Sequence, residues 1–199
     1  MAMRSDDWQS SRAAGVNPAQ FAILTLLEGR PAGLGVKEIA ASLLVSQPSA
    51  TDSIAALERK GLIEKRADPA DLRAVRILAT PAGFDLVITG RSEPGMAERA
   101  AEALGPNMQE DLLLALIAMI RQLQESGDIP IQRTCVSCRY FSPFAHADAA
   151  NPHHCNFVDA AFGQKDLRID CREHETADPS LRAATWGAFS KDQPNPPGQ

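Results

Sequence analysis

The sequence predicts a mainly α-helical, α+β fold in which a compact helical region precedes a small cysteine-rich one. Three observations predict it. Apolar residues recur at helical spacing from residue 18 onward, two β-like segments joined by a polar turn follow at 62–78, and all four cysteines of the 199-residue chain lie after residue 134. Helical periodicity followed by a change in residue composition is typical of two regions that are stabilised in different ways.

Composition excludes several classes of protein. A chain with 44% hydrophobic residues, 23% charged residues and a net charge of −5 is ordinary for a globular protein that buries a core. No run approaches the roughly 18 apolar residues that a membrane helix needs, and the first residues are too polar for a secretory leader. We therefore expect a cytoplasmic protein with no membrane partner. In a reducing compartment, clustered cysteines bind a metal more often than they form disulfides.

Three short helices open the predicted core, each with its own start and stop signals. Pro18 fits the first turn of a helix whose apolar stripe ends before Gly29. A second helix begins at Val36, and Ser46 is placed to cap a third helix that stops at Gly61. The second and third helices are therefore predicted to be joined by a tight turn.

A β-hairpin with a basic tip is predicted to follow the third helix. Between Arg59 and Arg76 there are six basic residues and three acidic ones, a balance of +3 in a chain of net charge −5. Phosphate contacts act within a screening length of about 8 Å, so this local balance matters more than the net charge. Helix, turn, helix and basic hairpin form the winged helix-turn-helix order, in which the second helix enters the major groove of DNA. A solvated charged hairpin is the alternative.

Four motifs in this region occur together. They are Leu57-x-x-x-Gly61 at the helix end, the basic residue Arg66, Asp71-Leu72-Arg73 in the turn, and Leu78-Ala79-Thr80-Pro81-Ala82-Gly83 at the exit. As a set they resemble the recognition helix and wing of the MarR family of bacterial transcription regulators, and the resemblance covers residues 15–127. It implies a homodimer that binds double-stranded DNA, acts as a repressor, and is not an enzyme. Members of that family often hold small aromatic effectors, so a small-molecule effector is an implied partner.

Eight residues are candidates for contact with DNA. They are Gln47, Ser49, Asp52, Ser53, Arg59, Arg66, Asp71 and Arg73. The first four lie at the start and on the exposed side of the recognition helix, where short polar groups reach base edges or phosphates. Helix capping is the alternative, in which Ser46 and Ser49 serve only as cap residues. Arg73 resembles the wing arginine of the family, and we expect Asp71 to orient it by a charge-assisted hydrogen bond.

Three of these candidates carry a qualification. We expect Arg59 and Arg66 to contact phosphates, or else to pair with neighbouring carboxylates. Asp52 departs from the family pattern, which commonly has a basic residue in the recognition helix. Its carboxylate repels phosphate, although it can accept a hydrogen bond from cytosine N4.

The most apolar segment of the chain is Leu112–Ile120, where only alanine interrupts leucine, isoleucine and methionine. A helix that is apolar nearly all round must be buried on more than one side. This pattern favours a helix that forms a dimer, and a core helix of a single chain is the alternative.

The cysteines have the spacing of a metal site. Cys135 and Cys138 form a Cys-x-x-Cys pair, with Cys155 following after 16 intervening residues and Cys171 after 15 more. Four thiolates complete a tetrahedron around one ion, so we favour structural zinc, with an iron–sulfur cluster as the alternative and metal-free redox thiols as the third reading. The neighbouring histidines His154 and His174 are alternate ligands.

The predicted organisation has three parts. A winged-helix DNA-binding and dimerisation domain occupies 1–128, a four-cysteine metal-binding module 129–178, and a partly disordered tail 179–199. The middle part has too few large hydrophobic residues to fold without a staple, which a metal supplies. The chain shows no catalytic Ser/His/Asp order, His-Glu-x-x-His motif or glycine-rich phosphate loop, which disfavours an enzyme. A metal-stapled protein-interaction module without DNA binding is the competing function.

Overall fold

The computed structural model describes residues 11, 15–69, 71, 73–91 and 94–191, and the chain divides into two compact units. The winged unit is residues 1–103 and the cysteine unit is residues 104–199. Leu72, the predicted helix break at Ser92 and Glu93, and the predicted disordered end at 192–199 lie outside the described residues. In the part of the chain that the structure describes, no helix is long and apolar enough to cross a membrane.

The winged unit contains the predicted helices and hairpin in the predicted order. Its elements are α1 (Pro18–Leu27), α2 (Val36–Ser42), α3 (Gln47–Arg59), β1 (Ile63–Ala67), β2 (Val75–Ala79), α4 (Pro81–Gly90) and α5 (Met96–Glu102). The side chains of Asn17, Ser46 and Thr80 accept hydrogen bonds from backbone N–H groups in the first turns of α1, α3 and α4. Local capping chemistry therefore sets where these helices begin.

One apolar core joins the helices to the hairpin. The side chains of Leu24, Ile39, Leu57 and Ile77 are all fully buried in it. The strands β1 and β2 pair in antiparallel register, and Leu34 adds a single bridge to Ile77 on the other side of β2. The predicted mainly α, α+β winged helix-turn-helix fold is confirmed.

The cysteine unit combines two helices with a small sheet. Its elements are α6 (Pro106–Glu125), β3 (Phe141–Ser142), β4 (His153–Cys155), β5 (Ala160–Phe162) and α7 (Pro179–Lys191). The three strands are antiparallel in the order β3-β4-β5. A core that includes Ile117 of α6, Phe141 of β3 and Phe189 of α7 holds the unit together.

This packing differs from the predicted boundaries. The sequence analysis assigned α6 to the first domain, whereas in the structure its buried residue Ile117 packs with the apolar residues around the cysteines. Residues 179–191, predicted to belong to a partly disordered tail, form α7 because Phe189 is buried against Phe141 and Phe144. Contacts between residues far apart in the chain decide both points.

Close packing at Gly83 explains why the exit motif ends in glycine. A Cβ atom at this position would lie 2.2 Å from the carbonyl oxygen of Leu62 and 3.2 Å from Cδ2 of Leu24. The start of α4 therefore approaches the backbone just before β1 more closely than any side chain allows. Gly61 has a different role, because its φ of +69° lies in the left-handed region but a Cβ there would meet open space.

We predict that Gly83→Ala lowers the free energy of unfolding by about 3 kcal/mol, since backbone must move to admit the methyl group. Gly61→Ala is the matched control and should cost only about 1 kcal/mol, because it introduces backbone strain without a clash. Urea denaturation of both variants measures the difference. Equal losses in the two variants would show that the close approach at Gly83 does not limit packing.

Candidate functional site

The buried face of α3 determines which of its side chains reach solvent. Ala50, Ile54 and Leu57 are buried in the core of the winged unit. Gln47 and Asp52 are consequently exposed, as is Ser49, whereas Ser53 is half-buried. In a winged helix this exposed face is the one that meets the major groove.

Capping is performed at the start of α3 by Ser46. Its Oγ accepts the backbone N–H of Ser49 at 3.2 Å and lies 2.8 Å from the Ser49 hydroxyl. Ser49 is therefore not the cap itself. Its hydroxyl is held at the exposed N-terminal end of the helix, where donors are directed at anions.

The wing turn is organised by Asp71, but not in the way that the sequence predicted. Oδ1 of Asp71 accepts a hydrogen bond from the backbone N–H of Arg73 at 3.0 Å, so the carboxylate fixes the turn and not the guanidinium. The Arg73 side chain is exposed. Within the ranges that the structure describes, its guanidinium has no hydrogen-bond or ion-pair partner.

Most of the predicted positive charge of the wing is paired. Arg76 donates to Asp68 at 2.6 Å and to Glu38 of α2 at 2.7 Å, and the pKa of Arg76 is raised chiefly by the hydrogen bond to Asp68. Two more ion pairs are Lys65 with Glu58 at 2.6 Å and Arg66 with Glu64. For Arg66, pairing with a neighbouring carboxylate is the alternative that the structure shows.

Three exposed cationic side chains of the winged unit have neither a hydrogen-bond nor an ion-pair partner among the described residues: Lys37, Arg59 and Arg73. Arg59 and Arg73 were candidates from the sequence. Lys37 was not, because no motif includes it. Ile39 and Ala40 form the buried side of α2, and Lys37 lies on the exposed side. In a helix-turn-helix the first helix crosses the DNA backbone, so a lysine there is suited to a phosphate.

The second candidate site is a cavity in the cysteine unit, which we call the cysteine cavity. Its volume is about 150 Å³, and all four cysteines line it. The rest of its wall is mainly apolar and includes Tyr140, Phe141, Phe157, Val158 and Phe162. The cysteines, separated by up to 36 residues in the chain, are thus brought to one place.

Backbone structure positions each cysteine. The N–H of Cys138 donates to the carbonyl of Cys135 at 2.9 Å, which closes a tight turn over Cys135–Ser137. Cys155 ends β4 opposite Phe141, and the N–H of Cys171 donates to the carbonyl of Arg133 at 2.9 Å. The cavity is therefore bordered by a turn, a strand end and a loop.

The cysteine thiols are free and partly or fully buried. Burial, the largest cause, raises the pKa of Cys135 to about 11, and burial also raises the pKa of Cys171. A thiol with a raised pKa is a poor nucleophile at neutral pH. This opposes the reading of Cys135 and Cys171 as metal-free redox thiols.

The histidines do not complete the cysteine cavity. His174 lies with Nε2 2.9 Å from the buried hydroxyl of Ser137, and His154 lies between His146, at 3.1 Å, and Asp159, at 3.3 Å. Neither histidine lines the cavity. Within the described residues, no three His, Cys, Asp or Glu side chains are arranged so that they could hold a metal ion. The cysteines therefore share a cavity without closing around one ion, and zinc stays a prediction.

A helix-turn-helix followed by a two-stranded wing defines the first unit as a winged-helix domain. Residues 16–75 match the family model described as "MarR family". Over these residues the winged unit is thus similar to the MarR family, as the motifs of the hairpin and its exit indicated. Comparison with curated proteins gives no match.

Solved structures agree with this assignment. A Staphylococcus aureus MepR–DNA complex has 26% sequence identity and a TM-score of 0.52, with 61% of this chain and 88% of that chain covered. The transcriptional regulator SlyA has 23% identity and a TM-score of 0.54, with 64% and 92% covered. BldR from Sulfolobus solfataricus has 20% identity and a TM-score of 0.50, with 60% and 84% covered. The last two are similar in fold.

The pairing of Arg76 with Asp68 generates a stability prediction. Asp68 is buried and its partner half-buried, so Asp68→Ala should lower the free energy of unfolding by about 2 kcal/mol, because a charged hydrogen bond is lost from a site with little solvent. Glu64→Ala is the control: it removes an exposed pair within β1 and should cost less than about 0.5 kcal/mol. Urea denaturation compares the two variants, and a cost at Glu64 as large as that at Asp68 would contradict the assignment.

Proposed function

We propose that this chain is a transcription regulator that binds double-stranded DNA as a homodimer and acts as a repressor. The observation that carries the proposal is the polar face of α3 beside a wing whose turn exposes an unpaired Arg73. The similarity to the MarR family and the DNA complex of the similar MepR support it. In this proposal the protein acts in the cytoplasm as a regulator and carries out no catalytic step.

The geometry assigns different roles to the basic and polar groups. In the proposed complex Gln47 and Ser49, at the start of α3, meet base edges in the major groove. Arg73 extends from the wing towards the minor groove or the backbone. Lys37 and Arg59 contact phosphates, which fix the register of the protein on the duplex without reading sequence.

Asp52 lowers the affinity for DNA in this arrangement. It is exposed on the same face of α3 as Gln47, so its carboxylate lies on the surface that meets DNA. A negative charge there weakens contact with phosphate generally and is offset where a cytosine N4 amino group donates to it. We infer that Asp52 lowers affinity for non-specific DNA and favours operators with a cytosine at that position.

The exposed face of α6 supports the homodimer. One side of this helix is buried through Ile117, whereas the opposite side exposes a row of apolar side chains at spacings of four and three residues. The row consists of Met108, Leu112, Leu116, Met119 and Leu123. Such spacing is that of a helix seam, and a second copy of the same helix is a self-complementary partner for it.

The four cysteines are proposed to hold a metal centre that staples the cysteine unit. The cavity is bordered by a turn, a strand end and a loop from separate stretches of the chain, so binding energy there adds directly to the energy of folding. The spacing by itself favours structural zinc, whereas the size of the cavity favours the alternative, an iron–sulfur cluster. A small-molecule effector, usual in the family that the chain resembles, is a further proposed partner.

Arg73→Ala tests the DNA-binding proposal. We predict that it weakens binding to the DNA upstream of the protein's own gene by about tenfold or more and lowers the salt dependence by about one phosphate contact. Arg139→Ala, which removes an exposed arginine of the cysteine unit, is the control and should leave affinity unchanged. Fluorescence anisotropy over a range of salt concentrations measures both quantities.

Two outcomes of that experiment would contradict the proposal. One is a wild-type chain that does not bind the DNA, and the other is an Arg73→Ala variant that binds as tightly as the wild type. Either result would favour the competing function, a metal-stapled module for protein interaction whose wing charges serve only to hold the fold.

The dimer is tested separately through α6. Leu116→Lys places a charge in the centre of the apolar row and should convert the dimer to a monomer, because the lysine cannot be buried in the seam. Ala118→Lys adds the same charge at an exposed position off the row and should leave the dimer intact. Light scattering with size-exclusion chromatography gives the mass of each. A monomeric wild type, or a Leu116→Lys variant that stays dimeric, would exclude this interface.

A further inference from the structure

We propose that the cysteine cavity holds an iron–sulfur cluster and not a single zinc ion. The cavity is the observation that leads to this, because the four cysteines line a shared space of about 150 Å³. The proposal concerns the occupant of the metal site proposed above. It does not depend on whether the winged unit binds DNA.

The size of the cavity favours a multi-atom occupant. Four thiolates around zinc lie about 2.3 Å from the ion, so the sulfurs close on one another and leave no room between them. A volume of roughly 10–15 Å³ is enough for one water-sized body, whereas the cysteine cavity has about 150 Å³. An iron–sulfur cluster places several iron and sulfide atoms between the four cysteine sulfurs and needs a space of this kind.

The wall of the cavity has the chemistry that such a cluster needs. Tyr140 and Phe157 pack edge to face, with ring centroids 5.3 Å apart, and Phe141 packs against Phe162 at 5.9 Å. All four rings line the cavity. An apolar, aromatic wall lowers the polarity around a cluster and helps to set its reduction potential.

Arg168 supplies hydrogen bonds and charge beside the sulfurs. Its backbone N–H donates to Sγ of Cys135 at 3.2 Å, and its guanidinium lies 4.0 Å from Sγ of Cys171. Glu173 approaches Sγ of Cys171 at 3.4 Å and is paired with the same guanidinium at 3.5 Å. The positive charge of Arg168 therefore offsets the negative charges of Glu173 and of the cluster thiolates. Hydrogen bonds from N–H groups to the cysteine sulfurs also tune the reduction potential of a cluster.

The test uses the full chain purified without oxygen, in which iron, acid-labile sulfide and zinc are measured per chain together with the absorption spectrum. We expect brown protein with iron and sulfide in similar amounts and a broad absorption near about 400 nm. A chain that emerges without metal is treated without oxygen with ferric iron, sulfide and a thiol reductant, which supply iron in both oxidation states, and should then acquire this absorption. Colourless protein with about one zinc per chain, or failure of the metal-free chain to assemble a cluster, would overturn the proposal.

Two variants connect the absorption to the cavity. Cys155→Ser should lose the absorption and the iron. Val158→Ala changes another residue of the cavity wall that has no metal-binding atom, so it should keep both. A Cys155→Ser variant with the iron content and spectrum of the wild type would overturn the assignment. If that variant does not fold, the iron, sulfide and zinc content of the wild type decides between the two occupants.

Discussion

DNA recognition by this protein depends on the burial of one face of α3. Ala50, Ile54 and Leu57 contact the core of the winged unit, and this contact fixes the rotation of the helix about its own axis. The polar side chains on the opposite face are exposed as a consequence. Everything proposed about DNA recognition requires that rotation, because turning the helix by one residue would bring different side chains to the groove.

Two further contacts hold the wing in place on the winged unit. The close approach of Gly83 to the backbone of Leu62 places the end of the hairpin against α4, and the ion pairs of Arg76 tie β2 to α2. Together with the pairs of Lys65 and Arg66, they neutralise much of the basic charge of the hairpin. Among the described residues of the hairpin, Arg73 is therefore the one cation without an ion-pair partner, in contrast to the diffuse basic patch that the charge balance of the sequence suggested.

The features predictable from sequence were those set by neighbouring residues. The Ser46 cap, the helical spacing of buried residues and the presence of the hairpin each depend on short stretches of chain, and the winged-helix fold followed from them. The partner of Arg76 was not predictable, because Glu38 lies 38 residues away. For the same reason α6 was assigned to the wrong unit by its position in the chain, since Ile117 packs with residues beyond 135. Cysteine spacing indicated a shared site, but it could not show the aromatic wall around it.

The central claim is that two copies of the winged unit read adjacent grooves of one DNA site. DNase footprinting of the wild-type chain on the DNA upstream of its own gene tests this most directly. The account predicts a protected, approximately palindromic site with two half-sites about 10 base pairs apart, or a multiple of that spacing. Protection of one half-site alone, or no protection at protein concentrations that saturate the dimer, would contradict it.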